Sequence, residues 1–180
     1  MKTKYIVILF LFFFSDVNAD QYDPHLNDLF GQLQNYENQN EYDKIIKKIW
    51  NIWLKPEDIR IKEDFDKALF LIDKFQYNKS ITFLSNIIDK NPNFAESWNK
   101  RATVYYLIGD YENSIKDINQ TLTLEPRHFG AMDGLALIHI KLKEYKKAAK
   151  IYKKILEILP YSKDIKIKIK LLDDLNSLDA

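Results

Sequence analysis

AESWNKRATVYYLIGDYENSIKDINQTLTLEP, residues 95–126, reads as one helix-turn-helix unit, and the stretches on either side repeat it. Pro92, Pro126 and Pro160 stand 34 residues apart, as do Tyr77, Tyr111 and Tyr145, and Ala68, Ala102 and Ala136. Three residue types in one period define a repeat. Trp98, Arg101, Ala102 and Tyr105 fall at i, i+3, i+4 and i+7, so they share one face of a first helix, and Ser114, Ile118 and Thr121 give a second helix the matching stripe. Small residues at 102 and 114 let the two backbones approach closely. Gly109-Asp110 breaks the first helix, since glycine takes the left-handed conformation and aspartate serves turns and N-caps. Pro126 pushes Glu125 out of the helical region and ends the second.

A period of 34 with Trp98-x-x-Arg101-Ala102-x-x-Tyr105 and a closing proline resembles the tetratricopeptide repeat (TPR). It departs from that pattern at Arg101, where leucine is usual, and at Thr121, where alanine is usual. The resemblance implies an all-α, right-handed solenoid of antiparallel helix pairs with N-terminal and C-terminal capping helices. The register sets three repeats, at 61–94, 95–128 and 129–162. The first keeps Ala68, Leu71, Tyr77, Ser80, Leu84, Ile87 and Pro92 but has Asp64 in the slot of Trp98 and Lys67 in that of Arg101. In the third, His139 takes the slot of Tyr105.

Residues 1–19 read as a secretory signal peptide: Lys2 and Lys4 are the basic start, Tyr5 to Phe14 the apolar core, and Val17-Asn18-Ala19 a small-residue cleavage site. The core is too short to span a bilayer, which takes about 20 apolar residues, and the competing reading is an uncleaved anchor. Cleavage after Ala19 predicts a periplasmic or secreted protein with no stable membrane anchor. Residues 20–56 carry two amphipathic segments, Leu26, Leu29, Phe30 and Leu33, then Ile45, Ile46, Ile49, Trp50 and Trp53. They are expected to form a degenerate repeat that caps the first full one, as solenoids require. Trp50 and Trp53 at helical spacing point to the core, with an exposed partner patch as the alternative. Pro56, Glu57 and Asp58 suit the start of the next helix. Residues 163–180 alternate as Ile165-Lys-Ile-Lys-Ile-Lys, like a strand. Ile165, Ile169, Leu172 and Leu175 also make a helical stripe, and a solenoid of helix pairs offers no sheet to join, so a capping helix is expected.

The composition, 46% apolar and 29% charged in 180 residues, is that of one folded domain. With no cysteine there is no disulfide, thiolate metal site or thiol nucleophile. The net charge of +1 falls to zero on removal of residues 1–19, which argues against nucleic acid and against an anionic membrane as partners. His25, His128 and His139 lie in different elements without a partner at metal-ligand spacing, and no phosphate loop or nucleophile elbow occurs. No enzyme, metal or cofactor is therefore expected. His139 reads as a core histidine. Arg101, Arg127 and His128, near the junction of repeats two and three, fit a turn-locking role or, less simply, ligand contact.

A solenoid of this type has a hollow formed by the other face of its first helices. By register, the partner-binding candidates there are Phe65, Leu69, Asn99, Lys100, Thr103, Tyr106, Asp133 and Leu137. This mixture suits an extended peptide or a partner helix. Gly130 and Gly134 either keep the floor low for a ligand backbone or mark a weak helix start. Co-chaperones of the family grip acidic tails with lysine, arginine and asparagine at positions held here by Phe65, Leu69, Lys100, Gly130 and Gly134, of which Lys100 alone could serve. In more detail the chain resembles small exported bacterial TPR proteins, through Asp23-Pro24, Ile49-Trp50, Trp53, the run Asn93 to Thr103 and the run Glu125 to Ala131. That implies a non-catalytic envelope protein. The function expected is an exported protein- or peptide-binding adaptor; the rivals are a structural subunit of an envelope assembly, docked through Trp50, Trp53 and the convex face, and a cell-wall hydrolase.

Overall fold

A computed structural model describes residues 20–35, 38–56 and 58–178. The signal-peptide reading of residues 1–19 and the helix-start role of Glu57 lie outside the described residues. Among the described residues there are nine α-helices and no strand: α1 His25–Leu33, α2 Gln39–Trp53, α3 Ile59–Asp73, α4 Tyr77–Lys90, α5 Ala95–Leu107, α6 Tyr111–Leu124, α7 Phe129–Lys141, α8 Tyr145–Ile158 and α9 Lys163–Leu178. Helices α3/α4, α5/α6 and α7/α8 are the three repeated pairs.

The sequence period is legible in the hydrogen bonds. Ser80 Oγ donates to the Ala68 carbonyl at 3.0 Å and Ser114 Oγ to the Ala102 carbonyl at 2.8 Å, the same bridge one period apart. Small residues on both sides permit it; the third pair has Ala136 against Ala148 and closes by packing alone. Each first helix ends in a residue with positive φ: Phe75 at 56°, Gly109 at 83° and Lys143 at 59°. These three are 34 apart too, so the turn demands the left-handed region in every repeat although only the middle one supplies glycine. Glu125 caps the C-terminal end of α6, as Pro126 requires. The alternating Ile-Lys run is helical, as its stripe requires: Ile165 and Leu172 are buried with Leu159 and Tyr152 in one cluster.

The N-terminal pair departs from expectation. Its placement over the first repeat is overturned, because Leu26, Leu29, Phe30, Leu33, Tyr42, Ile45, Ile49 and Trp53 join the core of the third repeat, with Phe129, Ala148, Tyr152 and Ile155. Only Leu54 reaches the cluster of the first repeat. The chain runs along the inter-repeat loops, which are themselves one period apart. Gln21 donates to the Asn93 carbonyl and accepts from the Ala95 amide at 3.3 Å. Arg127 donates to Asn27 at 2.8 Å, and Gln34 to the Ile158 carbonyl at 3.1 Å. From Asn27 to Gln34, seven residues of helix rise about 10 Å, one helix diameter and hence one step of the solenoid. Helix α2 then returns, with Tyr42 edge-on to Tyr161 at 6.2 Å and Trp53 stacked on His128 at 4.2 Å. The physical reason is which end is unfilled. Phe65 already packs the first repeat against Phe94 at 5.0 Å, whereas the slots one and two periods later hold Asn99 and Asp133.

Candidate functional site

Helices α5 and α7 lie side by side, and the gap between them is a cavity of about 270 Å³. Five of the eight expected contact residues line it: Asn99, Thr103 and Tyr106 from α5, and Asp133 and Leu137 from α7. Its floor is Ala102 with Ser114 and Ile118 of α6, apolar apart from one hydroxyl that is already bonded. Gly134 opens the wall: a Cβ there would meet only Ile118 Cδ1, at 3.6 Å. The acid is not free, since Lys168 of α9 sits 3.1 Å from Asp133. Burial would lower the Lys168 ammonium, but Asp164 and Asp133 outweigh it and hold its pKa above the usual lysine range.

The other three candidates lie elsewhere. Phe65 is fully buried, so it is a core residue and not a groove contact. Leu69 packs on the same first-repeat cluster. Lys100 is drawn to Glu96, 2.9 Å away, and lies over the Trp50 ring at 5.6 Å. The one position where an acidic-tail clamp could persist is thus engaged within the chain.

Beside the cavity sits a sealed polar knot, in which His128 takes the turn-locking role expected of it with a partner, Glu96, that was not foreseen. Glu96 accepts from Asn99 at 3.0 Å and faces His128 Nε2 at 2.8 Å. His128 Nδ1 accepts the Ala131 amide at 3.1 Å and so caps α7. With Nδ1 an acceptor, the neutral ring carries its proton on Nε2 and donates it to Glu96. Burial pushes the Glu96 carboxyl upward, but the Lys100 charge and the His128 hydrogen bond prevail and hold it below the usual carboxylate range. Trp53 stacks on the His128 ring and Trp50 stands edge-on at 5.6 Å, closing the knot from solvent. Both tryptophans therefore work inside the chain, as their helical spacing indicated. The signal that would have disclosed the knot's other half is Glu96, a charge in the slot that Gly130 fills one period on.

Gly130 answers to neither earlier reading. A Cβ there would stand 2.9 Å from Trp50 Cζ2 and closer still to Cη2. Its missing side chain admits a tryptophan of the same chain, not a ligand backbone.

The two arginines knit elements together. Arg101 forks onto Asp117 of α6 at 2.7 and 2.9 Å and donates to Ser85 of α4 at 2.8 Å, so one side chain joins three helices. Arg127 forks onto Glu125, with both contacts at 3.0 Å, and its guanidinium lies 4.2 Å from the Phe30 ring centroid. His139, half-buried, pairs with Glu144 at 2.5 Å across the α7–α8 turn. Among the described residues no three His, Asp or Glu side chains converge as a metal site, and no helix is long and apolar enough to cross a membrane.

The family model described as anaphase-promoting complex, cyclosome, subunit 3 matches residues 62–155. A TPR repeat-containing protein of Rhizobium etli is 30% identical over 147 residues, 82% of this chain and 72% of its own. Among solved structures, the Sgt2 TPR domain from Aspergillus fumigatus has a TM-score of 0.60 at 18% identity, covering 67% of this chain and 81% of that one. The first TPR of Spaghetti (RPAP3), bound to the HSP90 peptide SRMEEVD, has a TM-score of 0.58 at 17% identity, covering 62% and 89%. With the 34-residue period, the paired helices and a relative matched over most of both chains, the protein belongs to the tetratricopeptide-repeat family.

Proposed function

We propose that the protein is an exported adaptor of the bacterial envelope, in the periplasm, that holds a peptide or protein partner in the hollow between α5 and α7. The observation that carries the reading is the open cavity shared by Asn99, Thr103, Tyr106, Asp133 and Leu137. It has an apolar floor, a polar rim and room for one leucine- or phenylalanine-sized side chain of an extended segment. The Spaghetti repeat domain binds an acidic peptide; here Lys100 is committed to Glu96, so the partner is recognised by an apolar side chain instead of an acidic terminus. Use as a docked envelope subunit loses the tryptophan part of its surface and would rest on the convex face, since Trp53 is buried and Trp50 packs on Phe129 at 5.3 Å. A hydrolase would need a carboxylic acid held above its usual pKa as proton donor, whereas the shifted carboxyls among the described residues, Asp58, Glu96, Asp110 and Glu144, are all held below it.

Photo-crosslinkers at Thr103 and Tyr106, used in intact cells, test the groove. Adducts to a defined partner that disappear in Leu137→Asp support it; the same adducts from a crosslinker on the outward face of α8, at Lys154, would refute it. N-terminal sequencing of the mature protein tests export, with Asp20 as the expected first residue.

A further inference from the structure

The edge of the solenoid opposite the N-terminal pair is formed by the turns within each repeat, and it is apolar at its tips. Phe75 is 77% exposed, Phe70 50%, Leu142 48%, Leu107 47% and Ile108 45%. Phe75 and Ile108, from successive turns, line one shallow depression, so the row is continuous from the first repeat to the second. Phe75 is doubly costly: a bulky side chain in the left-handed region, where Gly109 stands one period later, and held in water. An edge-on contact with Tyr77 at 6.2 Å still leaves it largely in water.

Around these tips the charge is one-sided, although the whole chain is nearly neutral. Residues 67–79, 103–116 and 137–150 carry nine lysines against four acidic residues. All nine lysines are exposed. Asp110 caps α6, Glu112 pairs with Lys116, and Glu144 pairs with Lys147 and His139, which leaves seven lysines and Asp73. Lys67 and Lys74 hang over the Phe70 ring at 5.4 and 5.5 Å, placing cation and apolar face together. Net charge, averaged over the chain, hides this edge.

We propose that this turn edge docks on an anionic lipid bilayer, with Phe75, Ile108 and Leu142 entering the interface and the flanking lysines meeting headgroups. A projecting apolar row without an enclosing groove fits a flat surface better than a peptide, which needs a concavity. Lysines near an anionic surface each add to binding and do so in a salt-dependent way.

The test is vesicle flotation with the chain beginning at Asp20, so that residues 5–14 cannot bind lipid themselves. Phosphatidylcholine vesicles are compared with vesicles in which about a quarter of the lipid is phosphatidylglycerol, at low salt and at about 0.5 M. Binding is expected with the anionic vesicles at low salt. It should fall roughly tenfold or more with neutral lipid, with salt, in Phe75→Ser/Ile108→Ser/Leu142→Ser and in Lys74→Glu/Lys143→Glu/Lys146→Glu. These sites are exposed, and unchanged helical circular dichroism checks that each variant folds. No binding to anionic vesicles, or equal binding by the serine variant, overturns the proposal. So does a dimer in sedimentation that the serine variant dissociates, since the edge would then join two copies.

Discussion

Gly130 and Gly134 lie one turn apart on α7, and a methyl group should separate their behaviour. Gly130→Ala drives a carbon into the Trp50 ring, and since Trp50 is wedged between Phe129, Trp53 and His128 it cannot step aside. A loss of about 1–3 kcal/mol is expected in urea unfolding. Trp50→Leu in the same chain should recover part of it. Gly134→Ala meets ordinary contact at 3.6 Å and should be neutral, or gain up to about 1 kcal/mol from helix propensity, while narrowing the cavity. The turn residues give a second contrast. Lys143 has φ 59° and an exposed side chain, so Lys143→Gly relieves left-handed strain and should stabilise by about 0.5–1 kcal/mol, whereas Gly109→Ala, at φ 83°, should cost about 1 kcal/mol. Thermal unfolding of the two variants reads both signs.

Between elements, polar side chains do what the apolar stripe does within them. Arg101 replaces the usual leucine, yet the register is kept because its guanidinium finds Asp117 and Ser85 on the helices either side, and its stem shares the stripe with Trp98. The Glu96 knot joins α5 to α7 and gives a pH dependence. Its folded carboxyl pKa lies below the ordinary 4.5, so its contribution is present above that value and is lost as pH falls through the folded one. Glu96→Gln removes the charge that Lys100 and His128 face and should cost about 2 kcal/mol at neutral pH. Stability of this variant should also fall less steeply than wild type as pH drops below 4.5, read by urea unfolding at a series of pH values. The repeats, their turns and the five residues around the cavity were legible in sequence because they recur every 34 residues. Of the knot, His128 as a turn lock was legible and its partner was not, because hydrogen bonds between Glu96 and His128, 32 residues apart, follow no period. Phe65 was misplaced for a related reason: register names the face a residue occupies, while its size decides whether neighbours close over it.

At the scale of the molecule, the N-terminal pair changes what kind of object the solenoid is. A stack of repeats touches only its neighbours and unfolds nearly one unit at a time. Here Gln21, α1 and α2 together span three loops, tying Asn93, Arg127, Ile158 and Tyr161 to one N-terminal segment, so that loss of one end is felt at the other. Both helices and their buried faces were legible in the sequence, but not their seat, because an amphipathic stripe states that it needs a partner without saying which. The joint is Trp53, buried against His128 and Phe129. Trp53→Ala should cost about 3–5 kcal/mol and split unfolding into two steps, with the third repeat and α9 melting before α3–α6. Trp53→Phe should cost far less, since the indole Nε1–H has no acceptor among the described residues and only ring area is reduced. Hydrogen exchange resolved by repeat checks it: in wild type the amides of α8 and α4 should exchange through one common opening, and in Trp53→Ala those of α8 should exchange first. Equal protection of both helices in the alanine variant would show that the strap does not couple the repeats.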